Sequence, residues 1–270
     1  MRSLRPRPFN GIATFASLIL AACVALLPLA HVSAQQKTAS PSPKQPAFTE
    51  EQIHKLADIT ARVQRSTAEL HYLDALTTIR EADEIAPDSA LVWNLRGSVY
   101  TAFRDFDKAR EAFTKARDSM PQSFEPRFNL AEILYVEQKY AEAEAAFTEL
   151  QKGFPKMREV PRHLCLFKIL VCRLKQDNKA GAEEIMKNFG PTDDTAAYYY
   201  AKAVFALHSG KNEEGGSWLS QATHTFTKEQ NAIYIDAINE AKWVRPTAST
   251  EPKVGEPAPT LTPSLTPEVK

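Results

Sequence analysis

The chain has 270 residues, with 33 basic and 33 acidic side chains and 43% hydrophobic residues. That hydrophobic share excludes a fully disordered chain, the length is ample for a core, and three cysteines are too few for a disulfide scaffold. Nine glycines are also too few for an all-β domain that turns about every ten residues.

The neutral balance hides a segregation. Residues 1–34 hold Arg2, Arg5 and Arg7 and no acid, so the rest carries 30 basic against 33 acidic side chains. A dedicated nucleic-acid binder shows a basic surplus or stripe, and this chain has neither. The three arginines precede an uncharged apolar run from Ile12 to Leu29, followed by Val32-Ser33-Ala34. A positive start, an apolar stretch and small residues form an export signal with cleavage expected after Ala34. The rest is therefore expected to be periplasmic or secreted. Leu20-Ala21-Ala22-Cys23 offers the alternative of a lipoprotein anchored through Cys23, although the run stays apolar past it through Leu27. Retention of the run as a membrane anchor is a third option. Membrane attachment is expected only in those two cases.

Residues 35–47 are polar and proline-bearing and read as a flexible linker. The stretch 48–245 is expected to be all-helical, built on a period of 34 residues. Pro87, Pro121 and Pro155 fall in one column; Ala75, Ala109 and Ala143 in a second; Tyr72, Phe106 and Tyr140 in a third. Ile79, Phe113 and Phe147 form a fourth, and Ala82, Ala116 and Leu150 a fifth. Such a period means stacked supersecondary units. Within residues 90–123, Trp93, Gly97 and Tyr100 line one helix face and Ala109, Phe113 and Ala116 line another. Arg104-Asp105 breaks between them, and Pro121 ends the second helix.

Residues 90–123 resemble a tetratricopeptide repeat through Trp93, Gly97, Tyr100, Ala109, Phe113 and Pro121, with Arg96 where that family has leucine. Residues 124–157 resemble it through Leu130, Ala131, Ala143, Phe147 and Pro155, and 56–89 only in their second half. A degenerate unit is expected at 158–191 and a fifth at 196–229. Asp193 or Asp194 is expected to cap the first helix of the fifth unit. Thr227-x-x-Gln230 is a capping box opening a last helix over 228–243, which should close the open end of the stack. Residues 246–270 hold 13 Pro, Ser or Thr in 25 positions and read as a disordered tail. The fold class is an all-α solenoid of about five antiparallel helix pairs.

The resemblance implies that the first helix of each unit lines a concave, peptide-binding face. On that register the groove shows Asn94, Ser98, Thr101, Phe128, Glu132, Tyr135 and Tyr200. Phe128 and Tyr135 lie seven apart on one helix face with Glu132 between them, and they are expected to be solvent-facing anchors. Family members that clamp a terminal carboxylate use lysine with asparagine; this face offers Asn94 without a matching lysine. A protein or peptide partner is implied, of unspecified identity.

The sequence carries little recognisable chemistry. No G-x-S-x-G, H-E-x-x-H or phosphate-loop pattern occurs. Cys165 and Cys172 lie seven apart on one predicted helix, about 10.5 Å along its axis, too far for a disulfide. They read as small core residues. His163-x-Cys165 lacks a second ligand pair, so no metal and no cofactor is expected. Three readings remain: a non-enzymatic binding scaffold, a structural component of an envelope assembly, and an enzyme without a recognisable motif.

Overall fold

A computed structural model describes residues 48–243; the signal segment, the linker and the proline-rich tail lie outside the described residues. The described residues form eleven helices and no strand. Five pairs follow one another: α1 Glu50–Ala68 with α2 Tyr72–Ile85, α3 Ala90–Ala102 with α4 Phe106–Ser119, and α5 Phe124–Val136 with α6 Tyr140–Gly153. Then come α7 Glu159–Lys175 with α8 Lys179–Met186, α9 Ala197–His208 with α10 Asn212–Thr225, and a final helix, α11, over Lys228–Glu240. Consecutive helices pack on one another from α1 to α8 and from α9 to α11; α7 packs directly on α9, and the first helices α1, α3 and α5 also touch in series. This is an α-solenoid.

The columns of the sequence are its core. Ala75, Ala109 and Ala143 have no exposed surface, and neither do Ile79, Phe113 and Phe147. Each alanine lets the paired helices approach, and each large residue fills the space left over. The same logic fixes Gly97, where a Cβ would stand 2.4 Å from the Phe113 ring.

All five pairs turn in the same way. Leu70, Arg104, Gln138, Asp177 and Gly210 each take a left-handed conformation, with φ between 57° and 74°. In the second pair the Arg104 amide donates to Thr101 O at 3.0 Å and the Asp105 amide to Tyr100 O at 2.9 Å. The pairs of bonds at Gln138/Lys139, Asp177/Asn178 and Gly210/Lys211 repeat this Schellman closure. Only Gly210 supplies the residue that this conformation favours, so four turns hold strained side-chain-bearing residues by tertiary packing.

Two boundaries differ from the sequence reading. The first helix begins at Glu50, ahead of the expected 56, because Thr49 and Gln52 form a reciprocal capping box. The fifth pair begins at Ala197 after Ala196, with no side-chain cap. Asp193 instead folds back to accept from the Gly190 amide at 2.8 Å, closing the preceding loop. Pro126 and Pro161 lie inside first turns, where a missing amide donor costs nothing. The capping box at Thr227 and Gln230 is present and opens α11.

Candidate functional site

The groove expectation concerns one face, that of the first helices, and its residues lie in two groups. On α3, Asn94, Ser98 and Thr101 are buried. The Ser98 hydroxyl donates to Asn94 O at 3.0 Å and the Thr101 hydroxyl to Gly97 O at 2.8 Å, so both hydroxyls are satisfied within their own helix. Asn129 Nδ2 donates to Asn94 Oδ1 at 2.9 Å, tying α5 to α3.

The second group meets α11. Tyr135 has no exposed surface, and its hydroxyl donates to Ala237 O at 2.8 Å. The Tyr200 hydroxyl donates to Asn231 Oδ1 at 3.0 Å, and its ring stacks on Tyr234 at 5.3 Å. Phe167 of α7 meets Tyr234 edge-on at 5.2 Å. At the far end Glu240 lies 3.9 Å from Arg104, in the turn between α3 and α4. Trp243 then stands against His208 at 6.3 Å, with the Lys175 ammonium 4.3 Å from its ring. The last helix therefore covers the final pair and continues across α7 to α5. It lies on the face that the family resemblance makes the concave one.

This corrects the expectation of open aromatic anchors. Tyr135 and Tyr200 are both buried, and each bonds to α11. Phe128 is half-buried and belongs to a ring cluster instead, 5.4 Å from Phe124 and 5.7 Å from Phe147. Glu132 is buried as well, with Lys168 Nζ donating to its Oε2 at 2.8 Å. The physical reason is shared: an apolar face wide enough for a partner is buried by whatever amphipathic segment of the chain reaches it first.

The polar residues under the end of α11 are unusual for a core. Glu132 Oε1 is buried without a hydrogen-bond partner. Burial pushes the Glu132 carboxyl above its usual range; Lys168 pulls it back and the nearby Glu240 adds to the rise. Burial raises Glu240 in the same way, opposed by Arg104, Lys168 and Lys242. Lys168 was missed from sequence, although it is the one charge in the otherwise apolar run Leu164–Cys172, a pattern that marks a buried partner. Arg104, Phe167 and Tyr234 were missed because their roles depend on α11 crossing the stack.

One other cluster carries titratable groups. Glu159, His163 and Asp193 each place a ligand atom within 4.8 Å of the others. Both ring nitrogens of His163 are engaged, however. Arg162 stands 3.0 Å from Nε2 and can only donate, so Nδ1 carries the proton toward Thr195 Oγ1 at 2.7 Å. A guanidinium beside the ring also repels a cation. The arrangement is a neutral histidine joining α7 to the loop before α9. Burial and then Arg162 lower its pKa below the ordinary 6.5. A depressed histidine contributes stability that is present above pH 6.5 and lost as pH falls through its folded value. The wild-type chain should therefore lose stability between pH 7 and 5 more steeply than His163→Asn, as read by melting temperature across that window. Equal slopes would show that His163 titrates as in the unfolded chain. Cys165 and Cys172 are buried free thiols whose pKa burial raises strongly, which makes them inert packing residues.

Comparison with known proteins agrees with this architecture. The tetratricopeptide-repeat family profile matches residues 71–124 and 96–157. Those matches place tetratricopeptide repeats within residues 71–157, and the stacked helix pairs continue the same architecture on either side. The fold is similar to the crystal structure of PilW, described as a widely conserved type IV pilus biogenesis factor. The TM-score is 0.52 at 18% identity, over 73% of this chain and 90% of that one. No curated protein matches the chain.

Proposed function

We propose that this chain is an exported, non-enzymatic scaffold that holds a segment of another protein on the face of its first helices. The observation that carries the reading is the way this face engages α11. Tyrosine hydroxyls bond a main-chain carbonyl and an amide, and aromatic rings grip the side chains between them. Hydroxyl-bearing aromatics with an apolar body and a polar tip are what protein-binding surfaces use. The arginine-led apolar start of the sequence supports export, with the mature chain beginning at Gln35. Leu20-Ala21-Ala22-Cys23 supports a second reading, a lipid-anchored component of an envelope complex. The PilW likeness, through a protein described as a biogenesis factor, is compatible with a role in assembly.

Intact mass of the chain recovered after export separates the two: a start at Gln35 supports the soluble scaffold, and an acylated start at Cys23 supports the anchored one. The same preparation should retain a saturable, stoichiometric protein partner from the envelope fraction. A chain that stays unprocessed in the cytoplasm, or one that retains no partner at any concentration, contradicts the proposal.

A further inference from the structure

α11 has the marks of a self-contained segment. Thr227 and Gln230 start it with a complete capping box, and the Trp243 amide, donating to Ile238 O, closes its end. It is joined to α10 only through Phe226 and Thr227. Its apolar side is a helical stripe, Tyr234, Ala237, Ile238 and Ala241, all with 2% exposure or less. What the repeats offer it is generic to a helix. Tyr135 bonds a main-chain carbonyl, which any helix presents, and Arg104 meets a carboxylate at the helix end. The fit also has a flaw. Glu132 Oε1 is buried under this helix with no donor, and Glu240 adds a second carboxylate beside it. A helix carrying a donor at that position would satisfy Glu132 where α11 does not.

We propose that α11 is a built-in competitor, and that the face of α5, α7 and α9 takes an amphipathic helix of a partner protein in its place. The partner helix presents an aromatic residue, then small and apolar residues three and four positions on, as Tyr234, Ala237 and Ile238 do. It carries a carboxylate six positions on, where Glu240 meets Arg104, and a hydrogen-bond donor toward Glu132. Its identity as a helix follows from the spacing of the gripping groups. This inference rests on the scaffold reading above and specifies the bound form.

The test uses the full mature chain and a fluorescein-labelled synthetic peptide of residues 226–243 as probe. Arg104 is half-exposed in a turn, so Arg104→Glu leaves the repeats folded while repelling the chain's own Glu240. A peptide bearing Glu240→Lys restores the opposite charge. The Arg104→Glu chain should bind that peptide at least about tenfold more tightly than the wild-type chain binds the unaltered peptide. Amide exchange over 228–240 should accelerate in the wild-type chain as unaltered peptide saturates it, reporting the displaced helix. Equal affinities, or peptide bound while those amides stay protected, would overturn the inference. Unfolding of the repeats by Arg104→Glu would do so too, because α11 would then be a permanent part of the core. If an envelope partner is retained while α11 stays protected, only this inference falls; if none is retained, the scaffold reading falls with it.

Discussion

Tyr135→Ala should lower stability by about 3–5 kcal/mol, the cost of emptying a site that holds a fully buried aromatic ring. The ring meets Tyr140 at 6.0 Å and Phe147 at 6.4 Å, and the Lys168 ammonium lies 4.2 Å from its centre. None of these groups can collapse into the space without leaving another partner. Tyr135→Phe isolates the hydroxyl and its bond to Ala237 O, which joins residues 102 apart. That change should cost about 0.5–1.5 kcal/mol and loosen α11 in particular. Urea unfolding of the two variants measures both effects. A Tyr135→Ala chain as stable as the wild type would return this residue to the solvent-facing role that its sequence position implied.

Lys168→Ala should be as damaging, at about 3–5 kcal/mol, because it strips a buried carboxylate of its one ion-pair partner among the described residues. Glu132 already has one oxygen without a hydrogen bond, so the loss leaves both exposed to a low-dielectric interior. The pair as a whole is a different matter. Bringing both charges out of water costs about as much as their attraction returns, so Glu132→Leu with Lys168→Met should be near neutral. A thermal melt of the single and double variants decides it. A harmless Lys168→Ala would mean that Glu132 is protonated or hydrated in the folded chain.

The parts of this fold that repeat were legible, and of the parts that occur once the capping box that opens α11 was legible while the seat of that helix was not. Ala109 and Phe113 are readable because their counterparts stand at Ala75, Ala143, Ile79 and Phe147. A spacing that packs one helix pair must pack the next. Thr49 belongs to no column, so the true start of α1 was missed. Asp193 was read as a cap because an acid near a helix start normally is one. Its carboxylate found the nearer Gly190 amide instead. Tyr135 and Tyr200 were read as open groove residues, and α11 buries both of them. The apolar stripe of Tyr234, Ala237, Ile238 and Ala241 is visible in the sequence. Nothing local tells where the stripe lies down, since the bond that seats it joins residues 102 apart.

The central claim is that α11 sits on this face in the chain alone. Residue-resolved amide hydrogen exchange of the unbound protein tests it most directly. Helical amides exposed on one turn and packed on the next exchange slowly only while the helix stays seated. We expect Tyr234, Ala237 and Ile238 to be protected far above unstructured chain but below Phe167 and Leu170 in α7, and Tyr135→Phe to lower that protection before it affects α3 or α4. Exchange of residues 228–240 at the rate of unstructured chain, with α7 still protected, would contradict it.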